Sequence, residues 1–159
     1  MTGVQTCALP ISAWIFRKIK HPHSTFYIVP DNNPGINLDF SIKSAMEEAS
    51  VVHTRIMEFC REKGVSGNKA NLAAVCAEEM TVNIIRFGGK TSNWIDINFC
   101  IEDDLCRLRI RDNGVNFNPL EYSYDCEEFD IHGIELVKKI SKSMDYIRAI
   151  DMNNTIISF

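Results

Sequence analysis

Residues 94–111 read WIDINFCIEDDLCRLRIR, and this stretch decides the fold. Apolar residues occupy every second position on both sides of an acidic centre: Ile95, Ile97, Phe99 and Ile101, then Cys106, Leu108 and Ile110. Such alternation is typical of strands that bury one face, and Glu102-Asp103-Asp104 supplies a turn between them. The stretch therefore predicts an antiparallel hairpin whose apolar face needs a second layer to cover it.

Helical patterns lie on both sides of this hairpin. Ser44-Ala45-Met46-Glu47 has the form of a capping box. The apolar positions that follow it keep helical spacing up to Gly64: Met46, Ala49, Val52, Ile56, Phe59 and Cys60. A second helix is predicted from about Asn68 to Phe87, closed by Gly88-Gly89. A third is predicted from near Gly133, with an apolar side formed by Ile134, Val137, Ile140 and Met144.

Further strand patterns stand at the two ends of the segment. Ile36–Phe40 precedes the helices, and Asp145–Ile150 and Thr155–Phe159 flank a turn predicted at Asp151–Asn154. The polar stretch 113–132 is predicted to be a loop. Because the helices cluster early and the strands are mostly antiparallel neighbours, we predict an α+β fold of the two-layer sandwich type. Its mixed, mostly antiparallel sheet would be covered on one face by about three helices.

Composition limits the range of functions. The chain has 159 residues, 45% of them apolar, which is enough for one domain with a core. The formal net charge of −4 leaves no broad basic surface, so nucleic acid is not expected as a partner. The six cysteines form no C-x-x-C pair, which fits a reducing cytoplasm. No apolar run reaches the roughly 18–20 residues that a membrane span requires.

The N-terminal residues are predicted to stand apart from the domain. Residues 1–11 resemble translated sequencing-adapter readthrough and are interpreted as a non-native scar. Residues 12–35 are interpreted as a tail or linker, bounded by the turn cluster at 31–35. The short apolar stub near Trp14, followed by cations up to Lys20, fits a disordered tail and the cytoplasmic end of a truncated membrane helix equally well. The domain is predicted to occupy residues 36–159.

The second helix carries two polar residues in its apolar stripe. The stripe follows helical spacing over Leu72, Val75, Cys76, Glu79, Met80, Asn83, Ile84 and Phe87. Positions four apart stand on one side of a helix, so Glu79 and Asn83 are expected to point the same way. Burying a carboxylate without a partner is costly. Backbone groups at the sheet edge, or a polar ligand, would have to meet this pair.

Two later segments could complete a ligand site. Asp112-Asn113-Gly114 follows directly on a strand; it fits an ordinary turn, and it also fits a carboxylate that accepts from an exocyclic amine beside a glycine that admits a planar ring. Gly133 stands at the start of a helix, where free N–H groups and the helix dipole suit phosphate oxygens. An ordinary helix cap would also place a glycine there.

Together and in this order, these motifs resemble the GHKL (Bergerat-fold) ATPase family over roughly residues 36–159. The N box of that family is similar to Glu79-Met-Thr-Val-Asn83-Ile-Ile-Arg86-Phe87. Its two glycine boxes are similar to Asp112-x-Gly114-x-x-Phe117 and His132-Gly133-Ile134-x-Leu136, and its late threonine is similar to Thr155. Within the family, the short layout most resembles the bacterial anti-sigma-factor serine kinases.

The resemblance implies ATP and Mg²⁺ as the bound groups and assigns a role to each matching residue. Asn83 would be the metal ligand, and Arg86 would face the phosphates. Asp112 would accept from the adenine amino group, supported by Thr155, while Gly114 and Phe117 belong to the loop at the base. Gly133 and Ile134 would offer backbone N–H groups to phosphate. Glu79 would be the general base.

The function implied is an ATP-binding regulatory domain that transfers the γ-phosphate to a serine of a small antagonist protein and controls a sigma factor by partner switching. Relatives of this kind often form dimers, which makes a homodimer a further expectation. The alternative is a non-catalytic ATP-sensing module, for instance the C-terminal cytoplasmic part of a membrane protein. The stub at Trp14–Lys20 favours this alternative, and so does the lid that the resemblance implies near residues 118–132, because it lacks the usual upstream glycine. This lid is also acidic; its acids are Glu121, Asp125, Glu127, Glu128 and Asp130.

Overall fold

The computed structural model describes residues 36–89, 94–122 and 132–159. The interpretations of residues 1–11 and 12–35 therefore lie outside the described residues, as does most of the acidic lid. Within the described part, no helix is both long and apolar enough to cross a membrane.

Within residues 36–89, 94–122 and 132–159, five strands form one open sheet. They are β1 (Ile36–Lys43), β2 (Trp94–Glu102), β3 (Leu105–Asp112), β4 (Ser143–Ala149) and β5 (Met152–Ser158), in the spatial order β1-β2-β3-β5-β4. Each neighbouring pair is antiparallel. The predicted α+β sandwich is confirmed, but among the described strands the sheet is wholly antiparallel and not mixed.

The described part of the chain also has three helices: α1 (Met46–Glu62), α2 (Gly67–Phe87) and α3 (His132–Ile140). Helix α2 packs against α1, α3 and strand β3, so it connects the layer of helices to the sheet. Its neighbours in the core are the inward side chains of the central strands, among them Ile97, Phe99, Leu108 and Ile110. This central helix also carries Glu79 and Asn83.

The predicted capping box at Ser44 and Glu47 is wrong. Helix α1 begins at Met46, its N-cap residue is Ala45, and no side chain caps it. With Ala45 as the cap, Ser44 lies one residue too early for its hydroxyl to take the capping position. Met46 is also exposed and not part of the buried stripe.

The C-terminal hairpin turns earlier than the sequence predicts. Ala149 pairs with Met152, so the turn consists of Ile150 and Asp151. Both residues have positive φ, at 51° and 56°, as a two-residue hairpin turn of this hand requires. Asn153 and Asn154, which the sequence placed in the turn, consequently belong to β5. Met144, predicted on the third helix, lies in β4.

Candidate functional site

The middle of α2 presents Glu79 and Asn83 on one side. Asn83 is 2% exposed, and its Nδ2 donates to the Glu79 backbone oxygen at 2.7 Å. That bond fixes the amide so that Oδ1 points away from its own helix backbone. Among the described residues, this buried Oδ1 has no hydrogen-bond partner. An orphaned buried carbonyl oxygen is uncommon in a native protein and calls for an explanation.

Gly133 brings the start of α3 onto this pair. A Cβ built on Gly133 would collide with Glu79 Oε2 and stand 3.2 Å from Asn83 Nδ2. A side chain at this position would therefore have to displace the Glu79 carboxylate from where it lies. Because Gly133 and Ile134 lie in the first turn of α3, their N–H groups are among those without a partner inside the helix. Acid, amide and helix N-terminus thus meet at one point.

Of the two remaining predicted phosphate contacts, Arg86 is exposed and Ile134 is buried. Arg86 is an exposed residue of α2, two helical turns beyond Glu79 and so on the same side of the helix. The Ile134 side chain is fully buried in the core, so only its backbone could face a ligand.

A second cluster forms where β3 ends. Asp112 is 3% exposed, and its Oδ1 accepts from the Gly114 backbone N–H at 2.8 Å and from Asn153 Nδ2 at 2.8 Å. Val115 N donates to the Gly88 backbone oxygen at 2.9 Å, which ties this loop to the end of α2. Gly88 follows Asn83 by five residues, so the two clusters are about 7.5 Å apart along the axis of α2.

Gly114 is needed here for space and not for an unusual φ. Among the glycines that the structure describes, positive φ occurs at Gly64 and Gly89 and not at Gly114. A Cβ on Gly114 would stand 2.6 Å from the Gly88 backbone oxygen and 2.8 Å from Asp112 Oδ1. The glycine therefore permits the loop to touch the end of α2.

Thr155 and Phe117 flank the Asp112 cluster. Thr155 is 4% exposed on β5, opposite Ile110, and faces the same side as Asn153 two residues earlier. The Phe117 ring stacks on Phe87 at 5.7 Å between centroids and contacts Tyr122. These rings hold the loop after β3 against the end of α2.

Asn153 is the site residue that the sequence reasoning missed. It stands opposite Asp112 in the register of β3 and β5 and bonds directly to its carboxylate. The predicted turn at Asp151–Asn154 concealed it, since a turn residue would not face the core. A strand pattern that begins at Met152 would have placed Asn153 and Thr155 together on the inner face.

Burial raises the pKa of Asp112, and the Asn153 amide, the Gly114 N–H and the Arg148 charge lower it in part. The pKa remains above its ordinary value of 3.8, so the ionised carboxylate destabilises the folded state. The protonated Asp112 carboxyl therefore stabilises the folded state fully below pH 3.8. This contribution is lost as the pH rises through the raised pKa of the folded state.

Asp112→Asn is therefore expected to leave the free energy of unfolding at about pH 7 equal to or above that of the parent, because the amide oxygen still accepts both bonds without a charge. Its unfolding free energy should also vary less with pH than the parent's as the pH rises above 3.8. Denaturant unfolding at several pH values measures both. Asp145→Asn, an exposed position on β4, is the control that should follow the parent. A lower stability for Asp112→Asn would contradict the prediction.

The residues present fit Mg²⁺ bound together with phosphate. Mg²⁺ takes oxygen ligands, keeps several waters and often uses one or two protein oxygens plus phosphates. Asn83 Oδ1 is such an oxygen, buried and unpaired within the described part. Residues 36–89, 94–122 and 132–159 contain no group of three or more His, Cys, Asp or Glu side chains that could hold a metal. A metal ion at Asn83 would thus depend on the ligand's own oxygens.

Comparison with known proteins identifies a fold relative but no family. No family model and no curated protein matches the chain. Among solved structures, the fold is similar to that of a chain in the SiaB-SiaC complex from Pseudomonas aeruginosa, with a TM-score of 0.60 and 9% sequence identity. The match covers 94% of this chain and 100% of that chain. At this identity, the likeness extends to the fold.

Proposed function

We propose that this chain is an ATP-binding regulatory domain that acts on a protein partner as a protein serine kinase. The observation that carries the proposal is the buried Oδ1 of Asn83, which has no hydrogen-bond partner among the residues that the structure describes. The amide that carries it lies at the start of α3 with the Glu79 carboxylate, since a Cβ on Gly133 would stand 3.2 Å from Asn83 Nδ2. A hard cation with its phosphates would supply the missing partner, and the N–H groups of Gly133 and Ile134 would donate to the phosphate oxygens.

The base of the nucleotide would lie at the other cluster. Asp112 Oδ1 already accepts two bonds, and Oδ2 takes neither of them. In this proposal Oδ2 accepts from the adenine amino group, with Thr155 supporting it. Phe117, held by its aromatic neighbours, keeps the loop in place, and Arg86 extends toward the phosphates from the exposed side of α2.

Glu79 would perform the proton transfer. Its carboxylate would accept the proton of a substrate serine hydroxyl while the serine oxygen attacks the γ-phosphorus. The bond between the γ-phosphorus and the bridging oxygen of the β-phosphate breaks, and ADP leaves. Mg²⁺, when bound, would neutralise charge on the transferred phosphoryl group.

The proposed partner is a protein. The solved structure that shares the fold is a complex of two proteins, which supports a partner of the same broad class for this chain. We propose a small antagonist protein as the phosphate acceptor and a sigma factor as the controlled protein, in the cytoplasm. A homodimer is compatible with this arrangement.

A second candidate is ATP sensing without phosphoryl transfer. It is favoured by the contact between Gly133 and Glu79, since α3 there covers the carboxylate that would have to reach a serine hydroxyl. In that case nucleotide would alter the position of α3, and Glu79 would be a structural neighbour of the phosphates.

Substitution of two adjacent glutamates of α2 distinguishes the kinase from the ATP sensor. Glu79→Gln should bind Mg-ATP but lose at least about a hundredfold of the transfer rate, the order of magnitude associated with a general base. Glu78→Gln should keep the parent rate, because Glu78 Oε2 lies 2.9 Å from His53 Nδ1 on α1 and thus on the side of α2 that faces α1.

The measurement is transfer of labelled γ-phosphate to small proteins encoded beside this chain, with ATP binding followed by calorimetry. Transfer that both variants retain in full would remove the role of Glu79. Tight ATP binding by the parent without any phosphoserine would favour the sensing candidate.

A further inference from the structure

A chain of hydrogen bonds behind Asp112 has been given no part in nucleotide binding or in phosphoryl transfer so far. Asn153 is 3% exposed, and its Nδ2 donates to Asp112 Oδ1 at 2.8 Å and to the Val115 backbone oxygen at 2.9 Å. Both amide hydrogens are thus in use. One bond goes to the carboxylate, and the other goes to the loop that follows it.

The other end of the Asn153 amide is also fixed. Arg148 Nη1 donates to Asn153 Oδ1 at 2.7 Å, and the same nitrogen is 3.2 Å from the Gly114 backbone oxygen. Tyr146 OH lies 2.7 Å from Asn153 Oδ1 and 2.8 Å from Asn116 Oδ1, and its one proton serves either of them. Both neighbours of Oδ1 on β4, Arg148 and Tyr146, can donate. If the amide were flipped, its NH₂ group would face the Arg148 guanidinium, which can only donate, so this orientation is excluded.

We propose that Asn153 is a positioning residue for nucleotide recognition, which holds the Asp112 carboxylate so that Oδ2 is presented to the base. The inference rests on the proposed function, because it names how the adenine end of that site is kept in order. Tyr146 and Arg148 act one step further out by fixing Asn153.

The electrostatic surroundings support this role. A base amino group donates a stronger hydrogen bond to an ionised carboxylate than to a neutral acid, and burial alone favours the neutral acid. Arg148 on β4 is the charged group that faces Asp112, with the Tyr146 phenol beside it. Of the other neighbours, β2 contributes Ile95 in register, and the residue that follows α2 contributes the backbone of Gly88 through the loop. Asn153 therefore has a direct share in keeping the acid ionised.

The test compares two neighbouring asparagines of β5. Asn153→Ala removes the bond to Asp112, whereas Asn154→Ala changes a residue on the opposite face, whose side-chain contacts are 3.4 Å long. The titration of the Asp112 carboxyl is followed by carbon NMR in the full chain without nucleotide. Asn153→Ala should raise the midpoint by about one to two pH units, as expected for a lost hydrogen bond to a charged group. Asn154→Ala should leave it unchanged.

ATP affinity provides the second measurement. At about pH 7, Asn153→Ala should weaken Mg-ATP binding about tenfold or more, and the pH at which affinity falls should move upward with the NMR midpoint. Asn153→Ser, which is shorter and cannot span to Asp112, replaces the alanine variant if that variant does not fold, and the same shift is expected.

An Asp112 midpoint that coincides with the parent's in the Asn153 variant would overturn the inference. Absence of ATP binding by the parent would overturn the proposed function instead, while the carboxyl titration would still decide whether Asn153 positions Asp112. The two failures are therefore distinguishable.

Discussion

Asn83→Ala is expected to abolish most of the Mg²⁺-dependent ATP affinity while leaving the protein without nucleotide as stable as the parent or more so. The reason for both effects is the buried Asn83 Oδ1, which has no partner within the described part of the chain. A buried acceptor without a partner costs about 1–3 kcal/mol, and alanine removes that cost together with the asparagine's weak helix propensity. The loss of the Nδ2 bond to Glu79 and a small cavity act in the opposite direction.

Calorimetric titration with ATP, in the presence of Mg²⁺ and of a chelator, measures the affinity. The parent should bind more tightly with Mg²⁺, and Asn83→Ala should lose about a hundredfold of that gain, or about 2.7 kcal/mol. Asn71→Ala, at an exposed position of the same helix, is the matched control and should bind as the parent does. Equal Mg²⁺-dependent affinity in parent and Asn83→Ala would remove the metal-ligand assignment and the observation on which the proposed function rests.

The hairpin and the central helix could be predicted because their periodicities are strong. Alternation from Ile95 to Ile110 fixes one inward face, and β2 and β3 pair with Ile97 opposite Ile110 as that alternation requires. The spacing of Glu79 and Asn83 likewise fixes a shared side of α2, whatever surrounds the helix.

The C-terminal hairpin could not be predicted in the same way. A two-residue turn with positive φ at both positions normally carries asparagine or glycine, and here Ile150 and Asp151 adopt it. Ile150 is β-branched and unsuited to this region, so nothing local marks the turn. Pairing of β4 with β5 and with the rest of the sheet imposes it, and without that information Asn153 falls in the wrong element.

The approach of α3 to α2 is also a tertiary property. The glycine at position 133 is equally compatible with a helix cap, and only the packed structure reveals that a side chain there would strike Glu79. The same holds for Gly114, whose sequence context suggests a turn with positive φ. A side chain at Gly114 is instead excluded by the Gly88 backbone, which follows α2 and is separated from Gly114 in the sequence by the hairpin of β2 and β3.

Gly114→Ala is expected to lower the stability more than Asp112→Asn or Asn83→Ala does, and to abolish ATP binding as well. The added methyl group would stand 2.6 Å from the Gly88 backbone oxygen and 2.9 Å from Gly88 Cα. Backbone atoms at a helix end cannot rotate away as a flexible side chain can, so the loop has to move. That movement breaks the bond from Val115 N to Gly88 and the bond from Gly114 N to Asp112.

Overpacking of this kind typically costs about 1–3 kcal/mol, which for a chain of this size lowers the melting temperature by the order of 5 °C. Gly67→Ala is the matched control, because a Cβ at Gly67 meets nothing within 4 Å and alanine favours the first turn of α2. It should melt at or above the parent's temperature. Thermal unfolding of the three proteins, with and without Mg-ATP, checks the prediction. If Gly114→Ala melts with the parent and is stabilised equally by Mg-ATP, the tight contact between the loop and α2 does not set the position of Asp112.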